Sequence, residues 1–232
     1  MSTVPQEVLQ QLVQVLANLV SNDNAVRSAA EEQLNNEWMV KSPDALLSGF
    51  AYLSRNSDEA DLRSFAAVLT RRVAFKGIPN QDPDAEETTL WDVTQESTRH
   101  SMKTHFLAGL SQEPNKSVRN KVCDTIAEMA RASTLKNQVW PELLPALFEC
   151  TKSLSPEHRE SAFRIFTSVP NLISGQHVDI LKSVFANSLR DENFHVRLAA
   201  AKAVVSFVLD TNQALDQGLF ESSNSKGIQD FK

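Results

Sequence analysis

Five arginines recur in one setting along this chain, each near the start of a stretch with helical periodicity. Arg27 follows Val26 and precedes Ala30 by three places, Arg63 follows Leu62 and precedes Ala66, and Arg119 follows Val118 and precedes Val122. Arg159 follows His158 and precedes Ala162, and Arg197 follows Val196 and precedes Ala200. A residue that returns in the same helical context marks a repeated supersecondary unit, and repetition constrains a fold more tightly than composition does.

The intervals between these arginines are 36, 56, 40 and 38 residues. Three of the four match paired-helix repeats of the HEAT and armadillo type. Such a unit cannot bury its apolar face alone and must stack on a neighbour. The predicted fold is therefore all-α, a right-handed α-solenoid of about five HEAT repeats, each an antiparallel helix pair, over residues 1–210. The long interval carries an insertion at 77–88, where two prolines and four acids predict an exposed acidic loop. Glycine is scarce, at 6 residues, and alternating β-branched runs are few, which argues against a sheet.

Apolar spacing predicts a first helix over 5–20, with Val8, Leu9, Leu12, Val15, Leu16 and Leu19 on one face, and a second over 24–38. Ser21 to Asn24 supply the turn and cap between them. Ser42-Pro43 opens the next helix, since proline loses no donor at the first position. Its partner runs from Asp58 to Lys76 and ends at Gly77. A long helix over 90–110 pairs with one over 117–132. Trp140-Pro141 opens a fourth pair, whose second helix spans 156–170, and a fifth pair covers 176–189 and 192–209. Beyond Asp210 the pattern fades, and residues 211–232 are expected to fray. Leu34, Ile126, Phe166 and Val204 are expected to fill the space between repeats. Leu181, Val184 and Val205 are expected on the uncovered surface of the last repeat. Only Glu113 and Asp191 lie six residues before an arginine of the series, so Arg27, Arg63 and Arg159 are expected to find other acceptors.

Several function classes are disfavoured. A formal charge of −6 with pI near 5.4 does not suit a phosphate backbone, so no nucleic-acid partner is expected. Cys123 and Cys150 stand alone, with no metal or disulfide spacing, which fits a reducing compartment. No basic-apolar leader and no run of 18 apolar residues is present, so neither a signal peptide nor a membrane span is expected, and the chain reads as cytosolic or nuclear. His100, His105, His158, His177 and His195 are scattered, and no nucleophile elbow or glycine-rich phosphate loop occurs. No enzyme activity, cofactor or metal is expected.

A narrower likeness rests on Trp140 to Leu144 and on Glu157-His158-Arg159-Glu160-Ser161-Ala162-Phe163-Arg164-Ile165-Phe166-Thr167-Ser168-Val169-Pro170. These segments resemble the fourth repeat of karyopherin-β nuclear transport receptors of the importin beta-3 type. Asn22 to Trp38, Ala67 to Ala74, and Val118 to Lys121 with Asp124, Ile126, Ala127 and Glu128 resemble its first three repeats. The resemblance covers 4–209. It implies a protein that binds the GTP form of the small GTPase Ran, takes part in protein import, carries basic cargo past nucleoporins, and moves between cytoplasm and nucleus. The family is several times longer, so the chain is expected to be an N-terminal part of such a receptor.

In the family Ran lies on the second helices of the first repeats. The matching polar positions here are Glu37, Arg71, Arg72, Lys76, Lys121, Asp124 and Glu128. Arg71, Arg72 and Lys76 form the expected basic cluster. The competing reading is a static HEAT scaffold for a protein complex, of the phosphatase-scaffold or tubulin-binding kind.

Overall fold

The computed structural model describes residues 4–78, 88–136, 138, 140–174 and 178–227. Among them, regular structure is helical apart from one isolated antiparallel bridge between Gly77 and Thr89. The chain divides into two compact units, Met1–Trp140 and Pro141–Lys232.

Three helix pairs build the first unit. They are α1 (Gln6–Leu19) with α2 (Asn24–Gln33), α4 (Pro43–Asn56) with α5 (Ala60–Ala74), and α7 (Glu96–Gln112) with α8 (Lys116–Leu135). Between them, α2 continues through a π turn at Leu34–Trp38 into the short α3 (Met39–Lys41), and α6 (Leu90–Val93) is a single turn ahead of α7. The first helices stack in order, α1 on α4 and α4 on α7, while α5 packs on α8. In the second unit α9 (Leu143–Thr151) pairs with α10 (Pro156–Ser168), a 3-10 turn follows at Pro170–Ile173, and α11 (Val178–Ser188) pairs with α12 (Phe194–Gly227), which packs on α10.

Local chemistry sets the helix starts. Asp23 caps α2 by accepting from the N–H groups of Ala25 at 2.7 Å and Val26 at 3.4 Å, and Asn115 caps α8 by accepting from Ser117 and Val118. Pro43 and Pro156 stand in the first turns of α4 and α10, where their missing donors cost nothing. Packing then follows the apolar stripes. Leu12, Val15 and Leu16 of α1 are buried, while Val8, Leu9 and Leu19 are half-buried. Gly49 of α4 lets α1 approach: a Cβ there would lie 2.2 Å from Leu12 Cδ1. In the second unit Phe148, Phe166, Phe163 and Phe185 form a chain of ring contacts with centroids 5.8 to 6.0 Å apart. Leu34, Ile126 and Phe166 are buried as expected, and Val204 is half-buried.

Some boundaries differ from the sequence reading. α5 ends at Ala74 rather than Lys76, because the chain beyond it is drawn into the bridge: Ile78 N–H donates to Thr88 O at 2.7 Å and Leu90 N–H to Lys76 O at 3.4 Å. The ends of the 77–88 insertion are thus pinned together, and the acidic loop itself falls at 79–87, outside the described residues. The long helix over 90–110 is two helices, because Thr94 and Gln95 adopt extended backbone. α12 continues to Gly227, past the Asp210 boundary, since no proline interrupts its hydrogen-bond ladder; residues 228–232 lie outside the described set. Of the three residues expected on the uncovered surface, Val205 is exposed and Val184 half-buried, but Leu181 is buried beside Phe185 in the core of the fifth pair.

The repeated arginines have one structural role. Each stands at the fourth position after a helix cap, and its Nη1 reaches back to the carbonyl six residues earlier. Arg27 bonds Ser21 O, Arg63 bonds Ser57 O at 2.9 Å, Arg119 bonds Glu113 O at 2.8 Å, Arg159 bonds Ser153 O at 2.8 Å, and Arg197 bonds Asp191 O at 2.7 Å. The guanidinium therefore satisfies carbonyls in the turn between paired helices, groups that otherwise lack intrahelical partners.

Two arginines also reach into the following repeat. Arg63 clamps Glu113 through Nε at 2.7 Å and Nη2 at 3.0 Å, and Arg159 clamps Asp191 at 2.7 and 2.9 Å. These are the missing acceptors of Arg63 and Arg159: each acid serves the arginine of the preceding repeat. Arg27 instead takes Ser21 O and Asn24 Oδ1. Burial raises the Glu113 pKa, but the Arg63 guanidinium and the Asn115 N–H outweigh it and hold the carboxyl below its ordinary range. Asp191 is held low chiefly by its bond from Arg159.

Candidate functional site

The candidate residues lie on the second helices of the first unit. In α2, the π turn accommodates one residue more than an α turn would. Leu34 and Trp38 are buried at its ends, and Asn35, Asn36 and Glu37 are exposed between them. Asn35 Nδ2 donates to Glu31 O at 2.8 Å, and Lys41 Nζ lies 2.8 Å from Glu37 Oε1. The bulge presents a short polar ridge on an otherwise packed helix; such insertions often occur where a helix carries a binding role.

Arg71 and Arg72 occupy the last turn of α5, where positive charge suits the helix dipole. They are not equivalent. Arg71 is half-buried and lies 3.7 Å from Asp124 Oδ2 on α8, whereas Arg72 is exposed. Lys76 is exposed too, but sits beyond the end of α5, its N–H bonded to Val73 O at 3.3 Å. The expected cluster is therefore one cation spent on a neighbouring helix and two facing solvent.

Lys121, Asp124 and Glu128 recur at helical spacing and are half-buried along one side of α8. The Thr125 hydroxyl beside them faces Ala67 O on α5 at 3.0 Å and Lys121 O at 2.9 Å, which ties the two helices at the level of the Arg71–Asp124 pair. Glu128 pairs with Arg131 one turn on. The structure thus brings Arg71 and Asp124 together, keeps Glu128 on the same helix side, and leaves Glu37 with its own partner Lys41.

Sequence reasoning missed the Lys136–Asp92 pair, 2.9 Å long, which joins the end of α8 to α6. Asp92 Oδ2 also accepts from Thr89 N–H at 2.9 Å and Thr89 Oγ1 at 2.7 Å. Burial raises the Asp92 pKa, but the Thr89 and Lys136 bonds overcome it, so the carboxyl titrates below its usual range. Thr89-x-x-Asp92 resembles a capping box, and that signal was present in the sequence.

This face pairs Glu37 with Lys41, Arg71 with Asp124 and Glu128 with Arg131, and leaves Arg72 and Lys76 exposed. Among the described residues no group of three or more His, Cys, Asp and Glu could hold a metal ion. On the first helices, a groove of about 540 Å³ is lined by Asp44, Ser48, Thr104, His100 and His105. Burial, and then the charge of Arg55, lower the His105 pKa, and among the described residues its Nδ1 has no hydrogen-bond partner. Neither cysteine forms a disulfide among the described residues; Cys123 is buried and Cys150 half-buried.

Stacked antiparallel pairs braced by turn arginines define a HEAT-type helical-repeat protein, with a charged second-helix surface suited to protein contact. Comparison with known proteins narrows the class. The family described as "IPO5-like, TPR repeats" matches residues 114–222. Importin subunit beta-3 of Saccharomyces cerevisiae is 33% identical over 208 residues, 89% of this chain and 19% of its own. The crystal structure of Kap121p bound to RanGTP matches with a TM-score of 0.70 and 30% identity over 88% of this chain, and that of Kap121p bound to Nup53p with a TM-score of 0.73 and 30% identity over 88%. The chain belongs to the karyopherin-β family of nuclear transport receptors, in its importin beta-3 branch. It spans about a fifth of the length of these relatives, 18% of each Kap121p chain.

Proposed function

We propose that this chain is a Ran-GTP-binding segment of an importin beta-3-type receptor and contributes to protein import, working in cytoplasm and nucleus. The supporting observation is the likeness, over 88% of this chain, to Kap121p in its complex with RanGTP. Two features of the chain favour the second helices of the first unit as the binding face. The π turn of α2 displays Glu37 with Asn35 and Asn36, and the end of α5 leaves Arg72 and Lys76 in solvent. Arg71, Lys121, Asp124 and Glu128 complete the face, with Arg71 and Asp124 holding each other in register. Long-range charge complementarity speeds encounter with a partner of opposite local sign and fixes its orientation.

The test uses the 232-residue chain and purified Ran loaded with GTP or with GDP, at two salt concentrations, by titration calorimetry. Binding restricted to the GTP form is expected. Arg72→Glu with Lys76→Glu removes the exposed cations without breaking the Arg71–Asp124 pair, and should weaken binding at least tenfold, about 1.4 kcal/mol. Equal binding of both nucleotide forms would end the receptor reading. Unchanged affinity in the double variant would move the Ran face away from the end of α5.

A further inference from the structure

Ser57 occupies the ladder position that holds an acid in two other repeats. It lies six residues before Arg63, as Glu113 lies six before Arg119 and Asp191 six before Arg197. Its hydroxyl accepts the Glu59 N–H at 3.3 Å, as Glu113 accepts from Asn115 and Asp191 from Asn193 at 2.9 Å. The turn is shaped alike in all three, but Ser57 offers no charge to the arginine of the preceding repeat. That arginine is Arg27. Its Nη1 takes Ser21 O, and its Nη2, the atom that Arg63 and Arg159 turn to an acid, goes to Asn24 Oδ1 on its own helix. α1 stacks on α4 as α4 stacks on α7, which sets the first turn beside the second as the second is set beside the third.

The chain around Ser57 has the chemistry of a kinase substrate. Ser57 is half-buried in the turn between α4 and α5, while Asn56, Asp58 and Glu59 are exposed. Ser57 and Glu59 both have extended backbone, with φ −68° and ψ 141° at the first and φ −84° and ψ 119° at the second. Three of the four residues after Ser57 are acids, Asp58, Glu59 and Asp61. Such a segment complements a kinase whose substrate groove is basic. The other two serines at this ladder position lack the pattern: among the next four residues, Ser21 has only Asp23, and Ser153 only Glu157.

We propose that Ser57 is a phosphorylation site and that its phosphate completes the missing clamp by engaging Arg27. In the modifying step Ser57 Oγ attacks the γ-phosphorus of a nucleoside triphosphate held by the kinase. The Oγ–P bond forms, the bond from that phosphorus to the β,γ-bridging oxygen breaks, the nucleoside diphosphate leaves, and the hydroxyl proton passes to a base of the kinase. Phosphoserine brings a charge of about −1.5 to −2 at pH 7 and three strong acceptor oxygens. Its ester oxygen keeps the Glu59 N–H, and two phosphate oxygens face Nε and Nη2 of Arg27, the atoms through which Arg63 and Arg159 make their clamps. The first interface gains by modification what Glu113 and Asp191 supply by sequence. Arg55 and Arg63, which line a groove of about 410 Å³ with Ser57, are the competing cations. This inference does not depend on Ran binding.

The test treats the 232-residue chain with ATP and an acid-directed serine kinase and maps the product by mass spectrometry. Phosphate on Ser57 is expected, and a folded chain that accepts none there would overturn the site. Ser57→Ala identifies the signal by its loss. The clamp is read separately, on a chain made with phosphoserine at position 57. Its melting midpoint should lie about 2–4 °C above that of the unmodified chain. The rise should vanish in Arg27→Gln and persist in Arg55→Gln. A fall in the midpoint, or an equal rise in Arg27→Gln, would overturn the clamp. Should Arg27→Gln not fold, Arg27→Lys keeps the charge and loses the fork, and should retain less than half of the rise; the full rise there would overturn the clamp as well.

Discussion

Replacing Arg63 by methionine keeps the apolar stem and removes the guanidinium that joins the second and third repeats. The Glu113 side chain is only 4% exposed and that of Arg63 12%, so water cannot replace the lost partner. The carboxylate would retain the Asn115 N–H at 2.9 Å as its remaining hydrogen bond, and Ser57 O and Asp58 O would lose their donor as well. Breaking a buried pair from one side costs about 3–5 kcal/mol, and denaturant unfolding followed by circular dichroism should show that loss. Glu113→Gln keeps an oxygen for Asn115 and removes only the charge, so it should cost about 1.5–3 kcal/mol. The double variant should fall short of the sum by at least about 0.5 kcal/mol, because neither partner is then left as an unpaired charge.

The same pair has a pH signature. Glu113 in the folded chain gives up its proton more readily than in the unfolded chain. Its stabilising contribution is complete above the unfolded carboxyl value of about 4.3 and is lost as pH falls through the lower folded value. Arg63→Met should flatten that acid limb. A loss below 1 kcal/mol, or strict additivity in the cycle, would refute the view that the clamp holds these repeats together.

Other positions test other levels of the structure. Phe166→Ala removes a ring that is 1% exposed and packed on Phe148 and Phe163, and should cost about 3–5 kcal/mol in thermal or chemical unfolding of the second unit; an unchanged midpoint would deny its burial. Gly49→Ala forces a methyl group against Leu12, which has no exposed surface, and should cost about 1–3 kcal/mol despite the better helix propensity of alanine; a gain in stability would mean that α1 yields without loss. Asp23→Ala strips the cap of α2 and should cost about 1 kcal/mol, read as a lower melting midpoint with little change in total helicity.

Much of this architecture was legible because it rests on local rules. Helix pairs follow from apolar spacing, their starts from Asp23, Pro43, Asn115 and Pro156, and their stacking from the recurring arginines. The candidate face was legible only as a set of positions. That Arg71 turns to Asp124 depends on how α5 lies on α8, a contact across 53 positions that no window of sequence reports. The π turn at Leu34–Trp38 is hidden for a different reason: α and π turns draw on the same residue types, and Leu34 and Trp38, four apart, would share one face of an ordinary α-helix as well. Thr89-x-x-Asp92 is readable as a helix start, but the break that follows it at Thr94-Gln95 carries no glycine or proline to mark it.

The arginine ladder explains why degenerate repeats still fold alike. The residue six places before each arginine accepts the N–H two positions on: Ser21, Ser57 and Ser153 do this through a hydroxyl, and Glu113 and Asp191 through a carboxylate. Either chemistry shapes the turn, so the position tolerates serine or an acid. Only the acid can also receive the preceding repeat's arginine, because a serine hydroxyl lacks the charge and the second oxygen that a guanidinium fork engages. Shape and cohesion are therefore encoded at one position by two separable properties. Sequence spacing reveals the first, since it operates over six residues. The second operates over 50 residues at Glu113 and 32 at Asp191, and its presence between the second and third repeats, and between the fourth and fifth, follows from where the acids stand. Ser57→Asp supplies the acid that the first interface lacks. If the ladder is a property of the stacking and not of individual sites, that change should let Arg27 make the clamp and raise the melting midpoint of the first unit, and a neutral or destabilising result would confine the clamp to the two interfaces where it already occurs.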